Sequence, residues 1–215
     1  MSDAPPIDRR RKRHLDTAQE VVDVAVAVMV ETGAAGMTLG EVARRMGIRT
    51  PSLYVYFPSK AALCDAIFAR GWGEVGEVMN EYDGQPDAAC EPHAFLTEVL
   101  STFVGWALTH PAYSQLMFWR PIPNWEPSPE GYEPAVVMVD RVTETLRDLQ
   151  RQGHIRADAD IDEATGVWVV LASGLISQHL ANEPNTPPDS GRFTVLIEPL
   201  VATFLAHYGK KSRKR

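Results

Sequence analysis

Residues 38–60 read TLGEVARRMGIRTPSLYVYFPSK. Thr38 to Glu41 has the T-x-x-E form of a capping box, so a helix begins there. Leu39, Val42, Ala43 and Met46 recur at helical spacing and form its inner face. Gly47 lets the chain turn, and Ile48 plugs the angle that follows. Thr50 before Pro51 fits an N-cap followed by proline at the first helical position. Leu53 and Phe57, four apart, then anchor a short third helix over residues 51–57. Pro58 ends it, and Ser59 caps a further helix over residues 60–80. Two short helices across a glycine turn make a helix-turn-helix at residues 38–57. The side chains left facing outward are small, hydroxyl-bearing or aromatic, which suits a DNA groove.

The flanking sequence extends this reading. Leu15, Ala18, Val22, Ala25 and Met29 form an apolar stripe at helical spacing, stopped by Gly33 and Gly36. Residues 1–13 hold Pro5, Pro6 and the run RRRKR without apolar periodicity, and are expected to be a disordered basic arm. Helices are predicted over residues 93–110, from Pro111 to near residue 119, over 135–152, and over 160–180 behind an Asp160 cap. The last spans 192–208, bent near Pro199. Five prolines between residues 120 and 134 argue against a continuous helix there. No strand-like alternation and no repeat interrupts the pattern. The expected fold is all-α with about nine helices: a DNA-binding domain at 14–75, a second domain at 76–208 and a basic tail at 209–215.

Net charge is −7 over 215 residues, which looks wrong for a DNA binder until it is divided. Residues 1–60 hold nine Lys/Arg against seven Asp/Glu, residues 61–208 seven against twenty-one, and residues 209–215 five against none. The acidity lies in the middle, so a phosphate-binding surface belongs at the N-terminal end. The apolar stretch at residues 21–30 is too short to span a membrane, no secretory segment follows the basic run, and the chain is expected to be cytoplasmic. Cys64 and Cys90 lack metal spacing and secretory context, so neither a metal nor a disulfide is expected. There is no G-x-S-x-G, P-loop, H-E-x-x-H or C-x-x-C, and no two of the six histidines are four apart. No catalytic residues and no cofactor are expected, and an enzyme is disfavoured.

Residues 37–63 resemble the N-terminal domain of the TetR family of transcriptional regulators. The likeness rests on the Thr38 cap, Val42-Ala43, Gly47-Ile48, Leu53-Tyr54, Tyr56-Phe57, and Lys60 with Leu63. It covers roughly residues 14–75. Arg49 and Pro51 depart from the residues most common in the family, Ser and Gly, which bears on which operator is read.

Geometry suggests roles within the motif. Pro51 and Val55 suit thymine methyls, and Thr50 and Ser52 suit base edges or phosphate. Tyr54, Tyr56 and Thr38 suit phosphate oxygens, and Arg49 suits guanine or backbone. The resemblance makes Lys60 a phosphate contact. The basic runs at either end of the chain remain open as further contacts.

One short reading helix recognises few base pairs, so a homodimer on a palindromic double-stranded DNA operator is expected. The candidate dimer surface is Val167, Val170, Leu171, Gly174, Leu196, Leu200 and Phe204, which resembles the family's four-helix interface. Aromatic and Met density suggests a pocket for a small, largely apolar effector, with candidates Phe103, Trp106, His110, Met117, Phe118, Trp119, Trp168 and His179. Gln115 and Arg120 are further polar candidates. Repressor action is the behaviour the resemblance implies. The alternative is a DNA-binding dimer without a small-molecule effector, controlled by a protein partner.

Overall fold

The computed structural model describes residues 9–84 and 91–210. Cys90 and the basic residues beyond Lys210 lie outside them. Nine α-helices and no strand occur among the described residues, with one isolated bridge between Ile155 and Gly209. The first four are α1 (Arg9–Gly36), α2 (Leu39–Arg45), α3 (Thr50–Leu53) and α4 (Lys60–Met79). The rest are α5 (Pro92–Thr109), α6 (Pro111–Ser114), α7 (Pro129–Arg151), α8 (Ile161–Asn182) and α9 (Ile197–Tyr208).

Several boundaries differ from expectation, each for a local reason. Helix α1 begins at Arg9, so residues 9–13 are helical where a disordered arm was expected. Arg and Lys are good helix formers, and no breaker follows Pro6. Helix α7 begins at Pro129, six residues before the expected start. The Ser128 side chain accepts from the Gly131 N–H (3.1 Å), and proline is favoured in the first turn. Pro134 follows inside the same helix. The last segment is a 3₁₀ turn (Thr194–Leu196) leading into α9, and Pro199 falls in the first turn of α9 rather than at a bend.

Helix α4 positions everything else, because it runs through both halves of the chain. Near its start Leu63 and Ile67 are buried with Val21, Val42 and Leu53 of the first helices. Further along, Phe68 stacks on Tyr132 (5.9 Å) and meets Trp125 edge-on (5.9 Å). At Gly71 the next element approaches so closely that a Cβ would lie 2.9 Å from Met117 Sδ. Asp65 accepts from Trp125 Nε1 (2.9 Å) and from the Ser128 N–H (3.3 Å), holding the proline-rich loop to α4. Arg70 pairs with both Asp23 of α1 and Glu74. The buried residues form one continuous cluster from Val21 to Tyr208, so the two halves share a core.

A π-helical turn (Gln115–Trp119) extends α6 and ties it to the N-terminal helices. Gln115 Oε1 accepts from the Ala34 N–H (2.9 Å) just after Gly33, whose φ of +74° breaks α1. That amide would otherwise be an unsatisfied helix-end donor.

Helix α8 starts as its cap pattern predicts. Asp160 accepts from the N–H groups of Asp162 (3.0 Å) and Glu163 (3.1 Å). Asp160→Ala is expected to cost about 1 kcal/mol and to lower the melting temperature by about 2–4 °C in a chain of this size. An unchanged melting curve would remove the cap from the account of this helix.

Candidate nucleic-acid interface and ligand cavity

The helix-turn-helix is fixed by its caps. Thr38 Oγ1 accepts from the Glu41 N–H (3.2 Å) at the start of α2. At its end the Ile48 N–H reaches the Ala43 carbonyl (3.0 Å) and the Gly47 N–H reaches the Arg44 carbonyl (3.2 Å). This is a Schellman motif, and it needs the positive φ of Gly47 (+67°). Ile48 then packs against the core, as the sequence suggests.

The second helix of the motif is shorter than expected. Helix α3 spans Thr50–Leu53, with Arg49 rather than Thr50 at the N-cap position and no side-chain cap. Hydrogen bonds from the Tyr56 and Phe57 N–H groups to the Leu53 carbonyl (both 2.9 Å) continue the turn beyond it. Leu53 is fully buried and Phe57 nearly so, anchoring the turn from beneath. Above them Arg49, Pro51, Ser52, Tyr54 and Val55 are exposed, Val55 by 69%, and Thr50 is half-buried.

The motif's charges sort themselves. Arg45 reaches Glu31 and Glu41 (2.6 and 2.8 Å), and Arg44 reaches Glu41 (2.7 Å). Hydrogen bonds from Arg44 and then Arg45 hold the Glu41 carboxyl down to about 2, so the cluster stays ionised. Among the described residues, Arg49 is left as a cation of the motif without an ion pair. Tyr56 is half-buried and stacks on His14 (4.7 Å), a partner the sequence did not single out. Lys60 Nζ donates to the Ala35 carbonyl (3.2 Å) near the end of α1.

A cavity of about 90 Å³ lies between α4, α5, α7, α8 and the π turn. Of the expected pocket residues, Phe103, Phe118 and Trp168 line it. The other five do not. Trp106 and His110 stack on each other (4.6 Å), and His110 Nδ1 donates to the Trp106 carbonyl (2.8 Å). Met117 packs at Gly71, and Trp119 is partly exposed with its Nε1 donating to Ser177 Oγ (2.9 Å). His179 is buried and donates from Nε2 to the Thr186 carbonyl (3.0 Å). Gln115 is committed to Ala34, and the Arg120 guanidinium lies over the Tyr132 ring (5.9 Å). Trp72, Tyr82, Met138, Arg141 and Val142 complete much of the wall. The spacing of Met138, Val142 and Thr145 signals one face of a helix, but not that it borders a void.

Most of the candidate dimer surface is uncovered within one chain. Val167, Val170, Gly174 and Leu196 are exposed, Val170 by 68%, and Leu171 and Leu200 are half-buried. Phe204 is a correction: it is buried inside the protomer, edge-on to Trp168 (5.3 Å). Helix α8 is long and apolar enough to cross a membrane by length and composition, a property not expected from the sequence pattern. Its Trp168, Ala172, Leu175 and Ile176 instead belong to the protein core.

Residues 21–67 match the family model described as bacterial regulatory proteins, tetR family, and residues 96–200 match tetracyclin repressor-like, C-terminal domain. Among curated relatives, the HTH-type transcriptional regulator Rv1816 of Mycobacterium tuberculosis is 22% identical over 125 residues. That alignment takes in 58% of this chain and 53% of the relative, so the chain spans about half the length of that protein. The HTH-type transcriptional regulator SrpR of Pseudomonas putida is 23% identical over 172 residues, covering 78% and 77%. In shape, the chain is similar to the transcriptional regulator FadR of Bacillus subtilis, solved with stearoyl-CoA. The TM-score is 0.71 at 15% identity, over 87% of this chain and 97% of that one. Matches to both the reading half and the C-terminal half, on a fold these regulators share, make the chain a member of the TetR family of DNA-binding transcriptional regulators.

Proposed function

We propose that the chain acts in the cytoplasm as a homodimeric repressor on a palindromic operator, released when a small, largely apolar molecule enters the cavity. The observation that carries this is the exposed face of Arg49, Pro51, Ser52, Tyr54 and Val55, held up by buried Leu53 and Phe57. Such a face can reach base edges and phosphates only if its turn is rigid, and the two anchors supply that rigidity. The dimer follows from the short reading element and from the uncovered apolar strip on α8 and Leu196.

The cavity has two physical routes to the reading face. Arg141 of α7 donates to the Gly76 carbonyl (2.7 Å) and to Asn80 Oδ1 (2.8 Å), gripping the far end of α4. The near end of α4 carries Ser59 and Lys60, directly after the reading turn. Phe118, on the cavity wall, shares the π turn with Gln115, which holds Ala34. A ligand that favours a wider spacing of α5, α7 and α8 therefore shifts α4 and α1 together. Two half-sites lie about 34 Å apart, so a displacement of a few Å breaks simultaneous docking. The stearoyl-CoA of the Bacillus subtilis neighbour is not carried over, because the charged wall residues Arg141 and Asp83 already pair with each other (3.2 Å).

Footprinting on a mapped operator is expected to show two protected half-sites one helical turn apart. Arg49 and Lys60 from two protomers neutralise about four phosphates, so log K should fall against log salt with a slope of about −3.6. A steeper slope brings in the N-terminal basic run. A slope near zero rejects this docking.

A further inference from the structure

We infer that the first turns of α1 belong to the DNA-binding surface, with His14 and Arg11 contacting the phosphate backbone at the edge of the groove that the reading turn enters. This rests on the proposed docking of that turn and extends its footprint to a second element.

The faces of α1 bring these residues to the turn. Val21, Ala25 and Val28 lie seven, eleven and fourteen residues after His14, on the same side of the helix, and all three are fully buried. His14 continues this inward face past the edge of the core: it is exposed, and Leu15 beside it is 54% exposed. The face meets the reading turn there, because the His14 ring stacks on Tyr56 (4.7 Å, 25°). Arg11, also exposed, is nearly one turn earlier on the same face, about 4.5 Å along the helix.

The position suits phosphate rather than bases. An element lying in a major groove about 12 Å wide has a phosphate row on each flank. Tyr56 directly follows the exposed Tyr54 and Val55, so a ring packed on Tyr56 stands at one flank of the turn. Lys60 is held at the opposite end of α1, where it donates to the Ala35 carbonyl (3.2 Å). The two cations therefore serve different phosphates.

The charges are free to do so. Arg11, Lys12 and Arg13 are exposed, and none has an ion pair among the described residues, whereas Arg44, Arg45 and Arg70 are all paired. Asp16 and Glu20, two and six residues after His14, fall on other faces of the helix. An unpaired cation gives up no internal partner when it meets phosphate, and the contact releases counterions. His14 carries a ring N–H in either protonation state, so it can donate to a phosphate oxygen.

Anisotropy titrations on the footprinted operator duplex, over about 50–200 mM salt, test the contact. Arg11 adds one phosphate per protomer to those of Arg49 and Lys60, so Arg11→Gln should flatten the slope of log K against log salt by about 1.8. His14→Phe keeps a ring on Tyr56 but has no N–H. It should lower affinity about 5- to 100-fold at an unchanged melting temperature, as for one lost hydrogen bond in each half-site. An unchanged slope in Arg11→Gln overturns the inference, and so does unchanged affinity in His14→Phe. Should His14→Phe melt below the parent, ethylation interference with the parent and Arg11→Gln decides instead. Arg11→Gln should lose interference at one phosphate in each half-site and keep the rest, and an unaltered pattern overturns the inference. Arg49→Ala separates this contact from the docking itself. If it weakens binding while both α1 variants do not, the α1 contact alone falls; if it does not, both readings fall.

Discussion

The double substitution Arg49→Ala with Tyr54→Ala is expected to lower operator affinity at least about a hundredfold while leaving the melting temperature unchanged. Both side chains are exposed on the reading face, and neither is hydrogen-bonded or ion-paired in the free protein. Each direct contact to a base edge or phosphate is worth about 1–3 kcal/mol, and every 1.4 kcal/mol is tenfold. Two half-sites feel the loss together, so a hundredfold is the lower bound. Tyr56 and Lys60 are poorer first choices, although the sequence pointed to them as strongly. Tyr56→Ala removes the stack on His14, and Lys60→Ala frees the Ala35 carbonyl, so each disturbs the fold as well as the interface. Fluorescence anisotropy at fixed salt, run beside thermal melts, checks the prediction. Unchanged affinity would place the DNA contact elsewhere on the protein.

That contrast shows where sequence reasoning stopped. Three of the four caps read from single turns of chain were legible: Thr38, Ser59 and Asp160 accept the N–H bonds their spacing implies, whereas Thr50 lies inside its helix and makes no cap. Leu53 and Phe57 are buried as their four-residue spacing requires. Proline count misled where proline position mattered, because Pro129 behind Ser128 starts a helix that a density of prolines had seemed to forbid. The short reach of α3 was also missed, since two anchors four apart are equally compatible with a regular helix and with a hydrogen-bonded turn.

The cavity was the least legible feature. Its walls come from residues as far apart as Trp72, Phe103, Val142 and Trp168, and periodicity reports only that each faces inward. Whether an inward side chain meets a neighbour or stops short of one depends on the spacing of whole helices. Trp106 and His110 instead stack on each other and Met117 packs at Gly71, and none of the three lines the cavity. Phe204 was misplaced for the same reason: its helix borders the uncovered surface, but its ring turns toward Trp168.

Val170→Glu is expected to leave a folded monomer with operator affinity reduced by about 10²–10⁴. Val170 is 68% exposed in the single chain, so a carboxylate there stays in water and the protomer keeps its stability. In a two-fold dimer built on α8 the position is buried twice, once in each copy, next to Val167, Leu171 and Gly174. Each buried carboxylate then loses hydration worth several kcal/mol without a cation to replace it. Among the described residues no Lys or Arg lines the groove beside the strip, whose polar members are Glu163, Thr203, His207 and Tyr208. Once the dimer is lost, each reading turn binds alone, and the advantage of a linked second site, about 10²–10⁴, goes with it. Light scattering on a sizing column should report the 23.8 kDa protomer for the variant and about twice that for the parent. A variant that remains dimeric moves the interface off α8. A variant that is monomeric yet binds the operator at full strength removes the need for a dimer, and with it the release mechanism that depends on half-site spacing.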